Sequence, residues 1–266
     1  MKKALLIGIN YKGTPDELKG CVNDINNIQN FLIKSCNYPI ANITMLLNEN
    51  ATTANIQAAI LKLTSGTQTG DSLFFYYSGH GATFGNKTST KDDIDSAIIP
   101  SDYTKGGFIL DDWLYAHLAS VVPKGVSLWG FTDCCHSGTM FDLKYNWKFN
   151  PVCKVGKVTS YKADDWNNNF NLSITKESKE TVGDVYLFSG CQDEQTSADA
   201  FINNLSQGAF TFCFLQYIKN NQNSFRTKSL GDMLKEIGCL LTINGFGQRT
   251  QLSVGELSDM NNKFNP

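Results

Sequence analysis

The sequence predicts an α/β fold in which a mostly parallel central sheet is flanked by helices. Three observations predict it: short apolar runs, apolar residues at helical spacing between those runs, and the alternation of the two patterns along the chain. At 266 residues, with 41% hydrophobic and 18% charged residues, the chain is long enough to bury a large core. We therefore expect one domain that spans residues 1–266.

The apolar runs have the pattern of strands that are buried on both faces, because they lack the polar alternation of a half-exposed strand. Each run is closed by Gly, Asn, Asp or Ser. A last short strand is predicted near residues 251–254. The other expected strands are Ala4–Ile9, Ile43–Leu47, Ser72–Tyr77, Val126–Thr132 and Val185–Ser189.

Helices are predicted between these strands, where apolar residues recur at intervals of three and four. Thr52 and Thr53 are candidate caps for the second helix. The expected helices lie around Val22–Leu32, Ile56–Leu63, Asp112–Val121, 208–221 and 229–241.

A long loop is predicted over Lys144–Lys179, because apolar periodicity disappears there. Lysine recurs through the segment, and the run NNNFN occupies 167–171. Loops of more than about 15 residues are usually functional or disordered. The lysines of this segment are Lys144, Lys148, Lys154, Lys157, Lys162, Lys176 and Lys179.

Composition argues against nucleic-acid or membrane partners. The formal charge is −2, and no run of Lys and Arg is longer than two residues. No segment approaches the roughly 18 apolar residues that a membrane span requires. The eight cysteines are scattered, several of them within apolar runs, which favours buried reduced thiols over a disulfide framework. We expect a soluble protein in the reducing cytoplasm.

Two motifs follow neighbouring predicted strands and point to a site. SGHG, which contains His80, follows the third strand, and DCCHSG, which contains Cys134 and Cys135, follows the fourth. Ligands of an α/β sheet bind at the carboxyl ends of its strands. If the two strands are neighbours, both motifs reach the same edge of the sheet.

Adjacent cysteines followed by His136 allow several interpretations. Zinc sites usually combine two ligand pairs, and redox sites usually have C-x-x-C, but neither pattern is present. Both cysteines could instead be small core residues at a strand end. A nucleophilic thiol would need a base, because a thiol with a pKa of about 8.5 is mostly protonated at neutral pH.

His80 is the base that the sequence favours. Gly79 and Gly81 flank it, which lets the backbone bend tightly at the edge of the sheet. It lies 55 residues before Cys135, near the separation of roughly 50 residues found in caspases. His117, within the apolar segment WLYAHLASVV, is interpreted as a packing residue, and His136 is too near Cys135 along the chain to be presumed its base.

Four stretches together resemble the type I metacaspases, a family in the caspase-like clan of cysteine peptidases. They are GINYKGTPDELKGCVND, YYSGHG, DCCHSG and DEQTSADA, in the order of that family. The resemblance extends from Ala4 to about Val254. It implies a caspase-like sandwich with a large-subunit-like part over 1–143, a linker over 144–183 and a small-subunit-like part over 184–266.

The resemblance also implies the catalytic residues. The family dyad falls on His80 and Cys135, because the nucleophile is the cysteine directly before H-S-G. Cys134 then occupies a position often held by Ser or another small residue. The implied oxyanion hole uses the backbone N–H groups of Gly81 and Cys135.

A preference for Arg or Lys before the cut is implied as well. The family uses a carboxylate-lined pocket, which suits a buried cation that must recover its lost hydration. Without the resemblance, Asp24 is better explained as a helix N-terminal residue favoured by the helix dipole. The counterparts of the pocket residues are Cys21, Asp24, Ser78 and Asp133.

Calcium is the cofactor that the resemblance implies. Ca²⁺ binds six to eight oxygen atoms, so carboxylates supplemented by carbonyls and water suit it chemically. Without the resemblance, Asp111 and Asp112 would be explained as helix caps. The counterparts of the calcium ligands are Asp95, Asp111, Asp112 and Asp142.

The sequence therefore predicts a monomeric, calcium-dependent cysteine endopeptidase that cuts proteins after Arg or Lys and processes itself within 144–179. It departs from the commoner type I layout because no Pro/Gln-rich leader precedes the first strand. Two alternatives are a clan relative that prefers Asp or Asn, and a catalytically weak scaffold that binds partners. The intact His80 and Cys135 argue against the scaffold.

Overall fold

In this computed structural model, the fold is built on an eight-stranded sheet. The structure describes residues 1–85, 94–135, 138–149, 170–175, 180–191, 199–202 and 205–266. In spatial order the strands are β2 (Ile43–Leu47), β1 (Lys2–Gly8), β3 (Ser72–Ser78), β7 (Ser127–Asp133), β10 (Asp184–Ser189), β13 (Gln251–Val254), β8 (Tyr145–Phe149) and β9 (Phe170–Ile174).

The first five of these strands are parallel, and the last three extend the sheet in antiparallel fashion. Each parallel connection crosses over through the layers on either face of the sheet, as parallel pairing requires. The predicted α/β class with a mostly parallel sheet is confirmed.

Alternate residues of the parallel strands enter two separate cores, one on each face of the sheet. On one face, Phe74, Phe131 and Phe188 stack with ring centroids 5.1 and 5.2 Å apart. On the other face, Phe75 and Leu187 lie in the second core. Because both faces are covered, the strands contain the continuous apolar runs from which they were predicted.

The helices cover these two faces. Helices α1, α5 and α6 pack on the face of Phe131, and α2 packs on the face of Phe75. Helix α2 begins after Thr52, whose side chain accepts a hydrogen bond from the Asn55 N–H at 3.2 Å, as predicted. The helices are α1 (Cys21–Cys36), α2 (Thr53–Thr64), α3 (Tyr103–Gly106), α4 (Asp111–Leu114), α5 (Ala209–Asn220) and α6 (Leu230–Ile243).

Two small sheets lie beside the carboxyl ends of the parallel strands. The first is formed by β4 (Gly81–Gly85), β5 (Ile94–Ile98) and β6 (Ile109–Leu110), and the second is formed by β11 (Asp199–Ile202) and β12 (Leu205–Gly208). Neither sheet was predicted, because their strands are short and lack long apolar runs.

Two predictions of local structure are wrong. The expected loop 144–179 contains β8 and β9, whose half-buried aromatic residues, such as Trp147 and Phe170, pack on the first core. Residues 150–169 and 176–179 of that segment lie outside the described residues.

The expected helix Asp112–Val121 is only one α-helical turn, α4, followed by a π-helical turn over Tyr115–Ala119. No helix in the described part of the chain is long and apolar enough to cross a membrane.

Candidate active site

The register of two neighbouring parallel strands brings the two motifs together. Strands β3 and β7 end side by side, with Ser78 opposite Asp133. His80 and Cys135 each follow two residues beyond this pair. Both side chains therefore leave the sheet at the same edge, as the sequence predicted.

A close backbone contact closes the site between these strand ends. A Cβ atom added at Gly81 would overlap the carbonyl oxygen of Cys135 and lie 3.3 Å from the Cys134 Sγ. Only glycine allows this approach. The backbone groups at Gly81 and Cys135, which the resemblance assigns to the oxyanion hole, are thus neighbours.

Two buried tyrosines fix the backbone of His80. Its N–H donates a hydrogen bond to the Tyr11 hydroxyl at 3.0 Å, and its carbonyl accepts one from the Tyr77 hydroxyl at 2.6 Å. Tyr11 in turn donates to the Ile99 carbonyl at 2.6 Å. A Cβ at Gly79 would lie 2.6 Å from the Tyr77 hydroxyl oxygen, so this position also requires glycine.

The imidazole of His80 is oriented by a backbone carbonyl and an aromatic ring. Its Nε2 lies 2.7 Å from the carbonyl oxygen of Asp16, and its ring centroid lies 4.7 Å from that of Tyr11. Because a carbonyl oxygen only accepts hydrogen bonds, Nε2 carries the hydrogen. Nδ1 of the neutral ring is then the atom that can accept a proton.

The two adjacent cysteines lie in different environments. Cys134 is buried in the second core, whereas Cys135 is half-exposed. The Cys134 carbonyl accepts a hydrogen bond from the Cys191 thiol at 2.9 Å. The structure therefore gives Cys135 the access to substrate that a nucleophile needs and gives Cys134 a packing position.

The four predicted pocket residues converge next to the dyad, and all of them are buried. The Ser78 hydroxyl donates to Asp24 Oδ2 at 2.9 Å. The N–H of Gly208, which precedes helix α5, donates to both carboxylate oxygens of Asp24, at 3.0 and 3.1 Å. Cys21 begins helix α1, one turn before Asp24.

Asp133 is bound by the first turn of helix α5. The backbone N–H and the hydroxyl of Thr211 both donate to Asp133 Oδ2, at 2.8 and 2.7 Å. Gly208, the residue at the helix N-cap, has no side chain to satisfy the first N–H groups, and Asp133 takes that role from across the fold. Asp24 and Asp133 thus both face the amino end of this helix, which favours ionised carboxylates.

The predicted calcium ligands come from three stretches on the β4–β6 side of the site. Asp111, at the start of α4, accepts hydrogen bonds from the Ser96 N–H at 2.7 Å and the Asp112 N–H at 3.0 Å. Burial, together with the charges of Asp95 and Asp142, raises the pKa of the Asp111 carboxyl to about 7. Mutual repulsion of this kind is what a bound cation would relieve.

The donor chemistry of this region fits calcium, because carboxylate and carbonyl oxygens are its preferred ligands. Among the described residues, however, no three His, Cys, Asp or Glu side chains are arranged to hold a metal ion. Asp142 has a left-handed backbone, with φ of 45°, in the turn after Thr139. Residues 86–93, just before Asp95, lie outside the described residues.

Two other features are separate from this site. His117 stacks on Trp113 at 4.3 Å, and its Nδ1 lies 2.9 Å from the Trp113 carbonyl oxygen, which confirms a packing role.

A cavity of about 580 Å³ is lined by Asn27, Lys34 and Arg226, among others. It opens beside the second half of α1, whereas Cys21 and Asp24 lie in the first turn of that helix.

Comparison with known proteins identifies the family. Residues 2–144 match the family described as metacaspase, peptidase C14 domain. The chain belongs to the metacaspase family. This metacaspase is 33% identical to Metacaspase-1 of Kluyveromyces lactis over 99% of the chain and 68% of that relative. It is 34% identical to Metacaspase-2 of Trypanosoma brucei brucei over 98% of the chain and 75% of that relative.

Two crystal structures resemble this metacaspase in fold. A protein of Geobacter sulfurreducens has a TM-score of 0.66 at 22% identity, covering 99% of this chain and 98% of its own. Caspase-1 of Spodoptera frugiperda has a TM-score of 0.55 at 9% identity, covering 96% and 84%. At these identities the likeness shows the fold alone, and it confirms the predicted caspase-like architecture.

Membership of the family makes this metacaspase a cysteine-type endopeptidase. Several residues that shape its site were not singled out from the sequence. Tyr11 and Asp16 lie within the first quoted stretch and Tyr77 lies within the second, so the motifs contained a signal. Gly208 and Thr211 gave none, because they are more than 70 residues distant from Asp133 along the chain and reach it only through the fold.

Proposed function

We propose that this metacaspase is a calcium-dependent endopeptidase that cleaves proteins after Arg or Lys. The observation that carries the proposal is the pair of buried carboxylates, Asp24 and Asp133, beside His80 and Cys135. Two carboxylates in a buried pocket select a cationic side chain, because a neutral or anionic one would leave their charge uncompensated.

Cys135 acts as the nucleophile and His80 as the general base. The Nδ1 atom of His80 accepts the thiol proton, while the Asp16 carbonyl holds Nε2–H. The thiolate attacks the carbonyl carbon after the substrate Arg or Lys, and the N–H groups of Gly81 and Cys135 stabilise the oxyanion. His80 then donates the proton to the leaving amine, and water hydrolyses the thioester.

Calcium would be held by Asp95, Asp111, Asp112 and Asp142, and it would neutralise the charges of Asp95 and Asp142 that raise the pKa of Asp111. These residues are connected to the dyad by short stretches of the polypeptide and by a backbone hydrogen bond. Strand β5 contains Asp95, and directly after it the Ile99 N–H donates to the His80 carbonyl at 3.2 Å. The turn that carries Asp142 follows Cys135 by seven residues.

Self-processing would occur within 144–179, after a lysine outside the strands. Lys148 lies in β8, which is hydrogen-bonded on both sides by β13 and β9. Lys144 lies immediately before that strand, pairs with Glu180 at 3.4 Å, and accepts the Thr175 N–H with its carbonyl at 2.9 Å. A peptide bond within a ladder cannot enter the active site, so the remaining lysines are favoured. They are Lys154, Lys157, Lys162, Lys176 and Lys179, which lie outside the described residues.

The test is a panel of reporter peptides with Arg, Lys, Asp or Asn before the cut, assayed with calcium and with chelator. Wild type should cleave the Arg and Lys peptides only when calcium is present. Preference for Asp or Asn would support the clan-relative alternative, and no cleavage of any peptide would support the scaffold. Cys135→Ala is the negative control in every arm.

Substitution of the pocket carboxylates tests the assignment of specificity. Asp24→Ala or Asp133→Ala should reduce kcat/KM for Arg peptides by a factor of 100 or more, roughly the 3 kcal/mol seen when a buried ion pair loses one partner. Asp184→Ala, a strand residue away from the pocket, is the control and should keep wild-type activity. Normal Arg cleavage by either pocket variant would place the pocket elsewhere.

A further inference from the structure

A buried chain of hydroxyl groups lies behind Asp133. The Thr211 hydroxyl, 2.7 Å from Asp133 Oδ2, is also 2.5 Å from the Tyr76 hydroxyl. Thr211 and Tyr76 are both completely buried, and they come from helix α5 and strand β3. The chain therefore connects the pocket carboxylate to the interior of the sheet and has no contact with solvent.

The direction of these hydrogen bonds follows from the chemistry of their ends. An ionised carboxylate only accepts, so the Thr211 hydroxyl donates its hydrogen to Asp133. The Thr211 oxygen is then left to accept, and the Tyr76 hydroxyl donates to it. Burial and the negative charges of Asp24 and Asp133 keep Tyr76 protonated by raising its pKa well above 10.0. The hydrogen bonds of this hydroxyl chain therefore all point the same way, from Tyr76 through Thr211 to Asp133 Oδ2.

We propose that Thr211 is a positioning residue that fixes the plane of the Asp133 carboxylate and thereby favours Arg over Lys before the cut, with Tyr76 supporting it. This inference rests on the proposed function, since it concerns the pocket for the basic side chain. Thr211 fixes Oδ2 through two donors, its N–H and its hydroxyl. Two donors on one oxygen restrain rotation of the carboxylate more than one donor does.

The two basic side chains respond differently to such a restraint. Arg has a planar guanidinium that forms paired hydrogen bonds with a carboxylate of fixed orientation. Lys has a compact ammonium group, which tolerates a rotated carboxylate. Loss of the Thr211 hydroxyl should therefore weaken cleavage after Arg more than cleavage after Lys.

The experiment compares kcat/KM for matched Arg and Lys peptides in wild type, Thr211→Val and Thr211→Ser, each with calcium. Valine keeps the backbone N–H and the shape but removes the hydroxyl, and serine keeps the hydroxyl. We expect the Arg-to-Lys ratio to fall about tenfold in Thr211→Val, the loss of one charge-assisted hydrogen bond. Thr211→Ser should restore the ratio to near the wild-type value.

Thr53→Val is the matched control. Like Thr211, Thr53 lies in the first turn of a helix and is buried, and its N–H and hydroxyl lie 2.8 and 3.1 Å from one carboxylate oxygen of Asp102. Its hydroxyl also lies 3.1 Å from the carbonyl oxygen of Gly107. A merely structural role for such threonines would lower the stability of both variants and leave both ratios unchanged. We expect only Thr211→Val to change the ratio.

Tyr76→Phe gives a second, independent arm, because it leaves Thr211 in place and removes only its supporting donor. We expect the Arg-to-Lys ratio to fall about threefold. An unchanged ratio in folded Thr211→Val overturns the inference while the protease assignment stands. If Thr211→Val does not fold, an unchanged ratio in Tyr76→Phe overturns it alone. Wild type that cleaves neither peptide overturns the proposed function and this inference together.

Discussion

The backbone of His80 is held in place by the hydroxyl groups of two buried tyrosines, Tyr11 and Tyr77. The Tyr11 hydroxyl accepts the His80 N–H and donates to Ile99, and its ring lies against the imidazole. Tyr11 has a left-handed backbone, with φ of 49°. Such a conformation is uncommon for an aromatic residue and persists only where the surroundings hold it. The position of His80 is therefore fixed in part by Tyr11, a residue near the amino end of the chain.

Tyr11→Phe should lower kcat by roughly one to two orders of magnitude with a smaller effect on KM. The variant leaves the His80 N–H without its acceptor, and small displacements of a catalytic group are costly. Steady-state kinetics on an Arg peptide measures this. Tyr38→Phe is the control, because Tyr38 is equally buried and its hydroxyl lies 3.2 Å from the Ser72 hydroxyl on a remote part of β3. Equal kcat values in the two variants would contradict the prediction.

Cys135→Ala should abolish peptide hydrolysis, whereas Cys134→Ser should keep most of it. Cys134 is buried in an apolar core, so serine should cost roughly 1 kcal/mol or more of unfolding free energy without removing the nucleophile. Hydrolysis rates and urea unfolding of both variants test this. In addition, iodoacetamide should alkylate half-exposed Cys135 before Cys134 in the native protein. Residual activity in Cys135→Ala would reverse the assignment of the two thiols.

At this scale the sequence predicted residues of the site that belong to short motifs, and it missed those supplied by distant elements. His80 and Cys135 follow strand ends, where the rule of parallel sheets already places functional groups. Gly208 and Thr211 are brought to Asp24 and Asp133 by the packing of helix α5 on the sheet. No local pattern records such a contact, because it depends on how two elements dock.

Among the elements, the parallel strands were predictable and the antiparallel edge was not. β2 has the predicted bounds, and β3, β7 and β10 begin and end within one residue of theirs, because runs of apolar residues mark such strands. The antiparallel β13 also has the predicted bounds. β8 and β9 were interpreted as loop because of the recurrent lysines and the run NNNFN, although their own apolar residues alternate with Asn, Lys and Ser as in a half-buried strand. They form the outer edge of the sheet, where one face is less covered. A strand at this edge needs fewer apolar residues, so its sequence predicts it less clearly.

The edge strands predict what happens to the chain after self-cleavage. A cut within 150–169 or 176–179 leaves β8 on the first fragment and β13 on the second, and these two strands pair with each other. β7 and β10 pair across the same division. The fragments should therefore stay together as one active species. They should elute as a single peak in native size-exclusion chromatography and give two bands in a denaturing gel.

Cys135→Ala incubated with calcium is the control for that experiment, and it should give one band and the same elution volume. Mass spectrometry of the wild-type fragments identifies the cut. Fragments that separate under native conditions would contradict the sheet pairing as the connection between the two parts. A cut after Lys148 would show that β8 opens before cleavage.

Across the whole molecule, buried thiols predict a loss of stability at alkaline pH. Burial raises the pKa of Cys36 and of Cys213 to about 12, from an ordinary value of 9.0. Between pH 9 and 12 the unfolded chain loses these protons while the folded chain keeps them. The free energy of unfolding should therefore be unaffected below pH 9 and fall above it, by up to about 1.4 kcal/mol per pH unit for each thiol.

Urea unfolding from pH 8 to 11 measures this decline. The double variant Cys36→Ala, Cys213→Ala should show a shallower decline than wild type, although Tyr76 and Tyr77, which are also buried and protonated, keep part of it. Identical slopes in the two proteins would show that the thiols do not determine the alkaline limit.

Calcium should act on the whole molecule by joining segments that lie near the dyad in the fold or along the chain. Asp111 in α4 accepts the N–H of Ser96, the residue after Asp95 in β5, and Asp142 follows Cys135 by seven residues. Saturating calcium, at roughly micromolar to millimolar concentration, should raise the melting temperature by about 5 °C and switch on hydrolysis of Arg peptides. Mg²⁺ should substitute poorly, because it demands tight octahedral geometry.

Asp111→Ala should lose both responses, whereas Glu49→Gln, an exposed carboxylate elsewhere, should keep them. Scanning calorimetry and hydrolysis assays in parallel titrations test this, and full activity in chelator without a shift in melting temperature would rule out calcium gating while leaving the dyad assignment intact.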